Sequence, residues 1–188
     1  MKPQIITIAG SIGSGKSSTA KAVAAALGYE HFSSGDLFRQ IAAERGLSIE
    51  AMNLSLEERN DVDHGVDELL KNMNGKEKLV IDSRLAFHWI PESFKVFLYV
   101  DPQSAAERIY AHIRDQGRVS QEGSSAAEIR ENTEVRTASE TRRYSALYGV
   151  NVYDTTQFDA VINTTHNNLE TVVAMVLGAF RGWQSASA

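Results

Sequence analysis

The stretch ITIAGSIGSGKSSTA, from Ile6 to Ala20, constrains the fold of this chain more than any other segment. Its first residues form an apolar run typical of a buried β-strand, and its last residues are small ones that favour a helix. Three glycines and one lysine lie between them, so the strand must turn sharply and run directly into the helix. This arrangement is typical of α/β folds that are built around a parallel sheet.

Residues 10–17 match the pattern G-x-x-x-x-G-K-S/T, a loop that holds phosphate groups. Its glycines let backbone N–H groups converge on a phosphate, and the following helix adds the positive end of its dipole. Lys16 adds a mobile charge, and the Ser17 hydroxyl is a ligand for Mg²⁺. An ordinary glycine turn is the alternative, but the match covers eight positions with the correct flanks. The predicted nucleotide contacts are Gly10, Ser11, Ile12, Gly13, Ser14, Gly15, Lys16, Ser17 and Ser18.

The rest of the chain alternates strand-like and helix-like segments, which predicts a parallel sheet covered on both faces. Two near-continuous apolar runs each end in an aspartate, Asp82 and Asp101. Strands are predicted over 4–9, 29–32, 78–82, 94–101 and 158–165, and helices over 17–28, 37–44, 54–73, 102–115, 128–148 and 169–180. The 54–73 helix is acidic, and we expect it to lie outside, over a cleft, with a solvated face or acceptor contacts at Asp61, Asp63 and Asp67.

Composition narrows the class of protein further. A net charge of −5 over 188 residues argues against a protein that coats nucleic acid, although a few arginines can still form one anion-binding cleft. The chain has no cysteine, which excludes disulfides and thiolate catalysis. No apolar run reaches the length of about 18 residues that a membrane span needs. We therefore expect one cytoplasmic domain, monomeric, with a homodimer as the alternative, and with neither a nucleic acid nor a membrane as its partner.

Arginines decide between the classes of protein that share this loop. The chain has no guanine-reading N-K-x-D stretch and little room for the appended domains of a mechanical ATPase. Arginine forks match phosphate oxygens, and transfer between two anions requires that both are neutralised and held in line. The pattern favours a kinase whose acceptor is itself a phosphate. The arginines concerned are Arg39, Arg84, Arg108, Arg114, Arg118, Arg136, Arg142 and Arg143.

Three segments resemble motifs of the nucleoside monophosphate kinases, and among them the compact cytidylate-kinase-like branch. SGDLFR at 34–39 resembles the element S/T-G-x-x-F/L/Y-R, and DSR at 82–84 resembles a D-G-R element. Arg136, Glu140 and Arg143 are similar to the R-x-x-x-D-x-x-R pattern of cytidylate kinases, and this spacing places them on one helix face. The resemblance covers most of the chain and is weakest over 46–75.

The resemblance implies a P-loop NTPase fold, a three-layer α/β/α domain with five parallel strands in the order 2-3-1-4-5. It also implies a helical acceptor-binding insert at about 33–76 and a lid at about 114–128. The implied activity is ATP-dependent phosphorylation of a nucleoside monophosphate, most simply CMP or dCMP. The alternatives are another small-molecule kinase, similar to dephospho-coenzyme A kinase or adenylate kinase, and a nucleotide-binding regulator that has lost transfer activity.

The resemblance also implies a role for each matching residue. ATP would lie on the loop, with Mg²⁺ bound through Ser17 and Asp82. The catalytic set would be Lys16, Arg84, Arg108, Arg136 and Arg143. The acceptor-binding set would be Ser34, Gly35, Arg39, Arg84, Arg136, Glu140 and Arg143.

Three departures from the family pattern make the acceptor base less certain than the reaction. Ser83 stands where the family usually has glycine, and Glu140 replaces an aspartate. Leu85 replaces a second aspartate that helps longer cytidylate kinases to read cytosine. For Arg114 and Arg118, a lid role and a solvated face remain open, and we expect Arg142 to be structural because it points about 100° away from Arg143.

Overall fold

Five parallel strands form a single sheet in the computed structural model, which describes residues 3–47, 61–116 and 125–186. The strands are β1 Ile5–Gly10, β2 Glu30–Ser33, β3 Leu79–Asp82, β4 Phe94–Tyr99 and β5 Ala160–Asn163. Their order in the sheet is β2-β3-β1-β4-β5, which confirms the predicted topology.

Strand β1 lies at the centre of this sheet, and all six of its residues are buried. It pairs with β3 on one side, where Ile6 is opposite Val80, and with β4 on the other, where Ile8 is opposite Val96. A parallel strand with helices on both faces needs such a continuous apolar run. The position of the phosphate-binding loop is therefore fixed by the best-buried strand of the fold.

Helices cover both faces of the sheet. They are α1 Lys16–Leu27, α2 Ser34–Glu44, α3 Asp61–Lys71, α4 Ala86–Trp89, α5 Pro102–Gln116, α6 Ala126–Tyr148 and α7 Leu169–Ser185. Helices α1 and α7 pack on one face, where Val23 and Phe180 contact Ile6 and Ile8. On the other face Leu70 of α3 packs in a cluster with residues of β1 and β3.

Two local predictions about helices were wrong. Helix α3 does not simply lie outside, because Leu70 is fully buried and only 3% of Asp67 is exposed. Helix α7 does not end at Phe180, as predicted, but continues to Ser185. The ring of Trp183 packs 5.4 Å from that of Phe94 and 6.1 Å from that of Phe180, so the last turns have an apolar anchor.

Capping side chains explain where several helices begin. The Ser33 hydroxyl accepts a hydrogen bond from the Asp36 N–H, so α2 begins three residues earlier than its apolar pattern predicts. The Ser125 hydroxyl caps α6 in the same way. Residues 117–124 of the predicted lid, with Arg118, and residues 48–60 of the predicted insert lie outside the described residues. Within 3–47, 61–116 and 125–186, no helix has the length and apolarity that a membrane span requires.

Candidate active site

A cleft of about 470 Å³ opens where β1 and β3 end. The loop after β1 and the start of α1 form one wall, and α2, α3, α5 and α6 contribute to the others. In open α/β sheets, ligands bind outside the carboxyl ends of the strands, because loops from several strands meet there. The cleft therefore lies where this topology brings side chains from distant parts of the sequence together.

Two glycines shape the loop wall. A Cβ on Gly10 would lie 2.2 Å from the carbonyl oxygen of Leu98 in β4, so only glycine lets the chain pass this close to its neighbour. Gly15 has a φ of 83°, in the left-handed region, and the next residue begins α1. That residue is Lys16, and it lines the cleft beside Ser17 and Ser18.

Ser17 and Asp82 meet at the base of the cleft. The Ser17 hydroxyl donates to the Asp82 carboxylate at 2.5 Å, and the Ser33 hydroxyl approaches the same oxygen at 3.4 Å. Hard oxygen ligands of this kind suit Mg²⁺, which binds few protein groups and takes its remaining ligands from water and phosphates. The described residues contain no cluster of three or more histidines and carboxylates that could hold a metal ion.

Arg84, Glu140 and Arg136 form an ion-paired cluster in the same cleft. The Arg84 Nε lies 2.6 Å from one oxygen of Glu140, and the Arg136 Nε lies 2.9 Å from the other. Burial alone would raise the pKa of Glu140, but the two arginines hold it below its ordinary value. Burial alone would lower the pKa of Arg84, but Glu140 raises it above its ordinary value. The cluster joins the end of β3 to α6.

Lys16 is the other strongly perturbed cation. Burial, and to a smaller extent repulsion from Arg84, lower the pKa of Lys16 from 10.5 to about 8. Attraction to Asp82 and Glu140 opposes this shift but does not cancel it. An anion bound beside Lys16 would favour the charged ammonium and reverse this shift. The electrostatics of the cleft therefore favour a polyanionic ligand next to the loop.

Three more of the predicted arginines, Arg39, Arg108 and Arg143, also line the cleft. Arg143 lies with its guanidinium carbon 5.1 Å from the ring centre of Tyr144. Arg39 forms an ion pair with Asp36. Arg108 is held by the carbonyl oxygens of Thr164 and Thr165, at 2.6 and 2.9 Å, and borders a second cavity of about 370 Å³ beside the loop.

Other predicted residues are placed as follows. Ser34 and Gly35 line the cleft, whereas Gly10 and Ser11 lie behind the loop, where the Ser11 hydroxyl accepts a hydrogen bond from the N–H of Val100 at 3.1 Å. Ser14 borders the second cavity. Arg142 and Arg114 are exposed.

The net charge of the cleft lining is positive, whereas that of the whole chain is negative. Among its described lining residues, six lysine and arginine side chains face three carboxylates, although the chain carries a net charge of −5. Such a local excess of positive charge raises the local concentration of anions at the cleft. The site is therefore suited to hold two phosphate-bearing ligands.

Sequence reasoning missed several lining residues, most notably Tyr144. Asp67 was expected on a solvated face or at an acceptor contact, but it is buried and accepts hydrogen bonds from the Trp89 indole at 2.9 Å and from the Tyr148 hydroxyl. One feature of the sequence could have placed Tyr144 in the site. Tyr144 and Tyr148 continue the i, i+4 row of α6 that begins with Arg136 and Glu140.

Comparisons with known proteins give consistent results. A family model described as an AAA domain matches residues 9–130. A cytidylate kinase of Archaeoglobus fulgidus is 34% identical over 93% of this chain and 93% of its own length. One of Thermoplasma volcanium is 36% identical, over 92% and 88% respectively. The crystal structure of a shikimate kinase from Bacteroides thetaiotaomicron has the same fold, with a TM-score of 0.61 and 18% identity over 94% of this chain and 98% of its own.

Proposed function

Because this chain belongs to the cytidylate kinase family of P-loop kinases, we propose that it transfers a phosphoryl group from ATP to CMP or dCMP. That it is a nucleoside monophosphate kinase follows from its relatives. The observation that carries the proposal is the cleft itself, in which a phosphate-binding loop faces the Arg84–Glu140–Arg136 cluster. The geometry suits transfer between two anions rather than hydrolysis of one.

The loop side of the cleft holds the donor. Backbone N–H groups of the loop residues that line the cleft, among them Gly13, Gly15 and Lys16, face the phosphates. The Lys16 ammonium pairs with the oxygens that gain negative charge during transfer. Mg²⁺, which when bound offsets triphosphate charge, would be held by the Ser17 hydroxyl and through water by Asp82. Arg108 lies beside both the cleft and the second cavity, and there it neutralises charge on the donor.

The opposite side holds the acceptor. Arg39 and Arg84 bind its phosphate, and Arg136 and Arg143 neutralise the charge of the phosphoryl group between donor and acceptor. Glu140 keeps two of these guanidinium groups in place. A phosphate oxygen is already an anion at neutral pH, so the reaction needs no general base, and the rate arises from alignment and charge neutralisation.

The test is ADP release with ATP, Mg²⁺ and one acceptor from a panel of CMP, dCMP, UMP, AMP, GMP and dephospho-coenzyme A. CMP and dCMP should give the highest kcat/KM. Lys16→Ala should lower kcat with every acceptor by on the order of 10³-fold, because it removes the positive charge that stabilises the transferring phosphoryl group. Lys21→Ala is the matched control, since Lys21 lies on the same helix but is 62% exposed.

Three outcomes contradict parts of the proposal. A preference for another acceptor overturns the assignment to CMP and dCMP. ATP binding without product from any acceptor indicates a regulator rather than an enzyme. Normal turnover by Lys16→Ala removes Lys16 from the mechanism.

A further inference from the structure

The acceptor side of the cleft has a charged part and an apolar part. The charged part includes Arg84, Arg136 and Glu140. The apolar part includes Phe38, Val66, Leu70 and Leu85. Among the described lining residues that α3 contributes, Asp67 is the one carboxylate. An apolar surface with a fixed polar group is suited to bind an aromatic ring and to fix its orientation.

One face of helix α6 runs from the charged part of the cleft towards Asp67. Its i, i+4 row carries Arg136, Glu140, Tyr144 and Tyr148 in sequence, and Tyr148 is the residue that donates to Asp67. From Glu140 to Tyr148 the helix rises about 12 Å, at 1.5 Å per residue. A nucleotide whose phosphate lies at the arginines can therefore extend along α6 until its base reaches Asp67.

The Asp67 carboxylate is fixed in position before any ligand binds. Its side chain is buried, and its two oxygens accept hydrogen bonds from the Trp89 indole N–H, at 2.9 Å, and from the Tyr148 hydroxyl. Trp89 is held in turn between the Tyr148 ring, 5.5 Å away, and the Lys71 ammonium, 4.4 Å from the indole. A carboxylate has about four lone-pair sites, so two remain after these bonds.

We propose that Asp67 selects the acceptor base by accepting a hydrogen bond from the exocyclic amino group of cytosine. The inference rests on the proposed function, since it names the group that reads the base of CMP. Uracil carries a carbonyl oxygen where cytosine carries the amine, and this oxygen would face the carboxylate with no proton between them. Burying two acceptors against each other leaves both unsatisfied, which opposes binding of UMP.

This role compensates for a departure in the sequence. Leu85 occupies the position at which longer cytidylate kinases have a base-reading aspartate, and in the structure Leu85 is a buried member of an apolar cluster. Asp67 brings a carboxylate to the same cleft from α3 instead. The alternative is a purely structural role, in which Asp67 only links α3 to α4 and α6 by its hydrogen bonds. A tie of this kind predicts equal losses with every acceptor, whereas base selection predicts a change in their ratio.

The experiment measures kcat/KM for CMP, for UMP and for the CMP analogue with pyrimidin-2-one as its base, which lacks the amine. In the wild-type enzyme the analogue should be about 10- to 100-fold worse than CMP, as expected for a lost hydrogen bond to a charged group. In Asp67→Ala, which removes the acceptor, this gap should nearly close, and the preference for CMP over UMP should fall by at least about 10-fold. Glu68→Gln is the matched control on the same helix, because Glu68 is exposed and pairs with Lys71.

Each outcome decides the matter. Equal turnover of CMP and the analogue by the wild type overturns the proposal without any variant. If Asp67→Ala does not fold, Asp67→Asn takes its place, since it keeps the shape of the side chain but removes its charge, and the gap should then narrow because a hydrogen bond to a neutral acceptor is weaker. A gap of wild-type size in the variant overturns the role of Asp67, even if all acceptors lose activity alike. Failure of the proposed function is distinguishable, because the wild type would then not turn over CMP at all.

Discussion

The two sides of the cleft are built in different ways. The loop side is one continuous segment, residues 10–18, in which a buried strand, a glycine turn and a helix start supply backbone N–H groups. The opposite side consists of side chains from α2, α3, the end of β3 and α6, and it is held together by Arg84, Glu140 and Arg136. The donor side therefore depends on backbone geometry, and the acceptor side depends on ion pairs between distant residues.

This difference predicts unequal responses to mutation. Backbone donors survive the loss of any one side chain, as long as the strand and helix that hold them stay packed. An ion-paired wall instead loses several contacts when its central residue changes, because each charge orients the next. Substitutions on the acceptor side should thus affect acceptor binding while ATP binding is kept.

On the acceptor side, the largest effect is expected for Glu140→Gln, which removes the central carboxylate of the ion-paired cluster. It leaves Arg84 and Arg136 without their carboxylate, so both guanidinium groups repel each other and move. The KM for CMP should rise by about 10- to 100-fold, while the affinity for ATP stays within about twofold of wild type. The free energy of unfolding should fall by about 3–5 kcal/mol, as when one partner of a buried ion pair is lost.

Glu134→Gln is the control for this change. Glu134 lies on the same helix, is 59% exposed and pairs with Arg130 at 3.0 Å, so its loss should be nearly silent. Steady-state kinetics, ATP titration and thermal unfolding measure the three quantities. A parallel loss of ATP and CMP binding in Glu140→Gln would show that the two sides are not independent.

The same contrast explains what the sequence could predict. The loop and the central strand follow from short-range patterns, since a strand, a glycine turn and a helix are contiguous in the chain. The order of the sheet was implied by the family resemblance. The resemblance to a kinase family also named Arg84, Glu140 and Arg136, which share the cleft. Their pairing could not be read from spacing, because Arg84 lies on another element.

Asp67 shows where pattern reading fails. Its helix is acidic over much of its length, so the sequence alone gives Asp67 the appearance of one more solvated carboxylate. Its burial depends on Trp89 and Tyr148, which are 22 and 81 residues away in the chain. The end of helix α7 was predicted too early for a similar reason, since Trp183 packs against Phe94 on a distant strand. Such long-range contacts override local composition.

A second, smaller effect concerns pH and tests the loop side. The pKa of Lys16 is lowered to about 8 in the ligand-free protein, so the ammonium loses its proton as pH rises through that value. ATP favours the charged form, so ATP affinity should fall by about 10-fold between pH 7 and pH 9. Acceptor affinity should change much less, because Arg84 stays charged across this range.

Calorimetric titration of ATP and of CMP across this range provides the measurement. In Lys16→Ala the ATP affinity should be weak and nearly independent of pH, which serves as the control. If the affinity for CMP declined with pH as steeply as that for ATP, Lys16 would belong equally to both sides of the cleft.

The smallest effect is expected for Ser83→Gly, at the boundary between the two sides. Ser83 is buried and lines the cleft, but its hydroxyl accepts a hydrogen bond from the N–H of Leu85 at 3.3 Å. Its φ is not positive, since Lys78 is the only described non-glycine residue with a positive φ, so the site does not require glycine. The glycine variant should keep kcat/KM within about twofold and lose about 1 kcal/mol of stability through backbone entropy and the lost bond.

Ser83→Ala separates the two contributions, because it keeps the Cβ and removes only the hydroxyl. If the alanine variant matches wild type in kinetics while glycine raises kcat/KM for CMP several-fold, the Cβ of Ser83 limits how closely the nucleotide approaches the backbone. The acceptor side would then depend on main-chain shape at this position, as the donor side does throughout. Equal kinetics in all three proteins instead leave the acceptor side defined by its charged side chains.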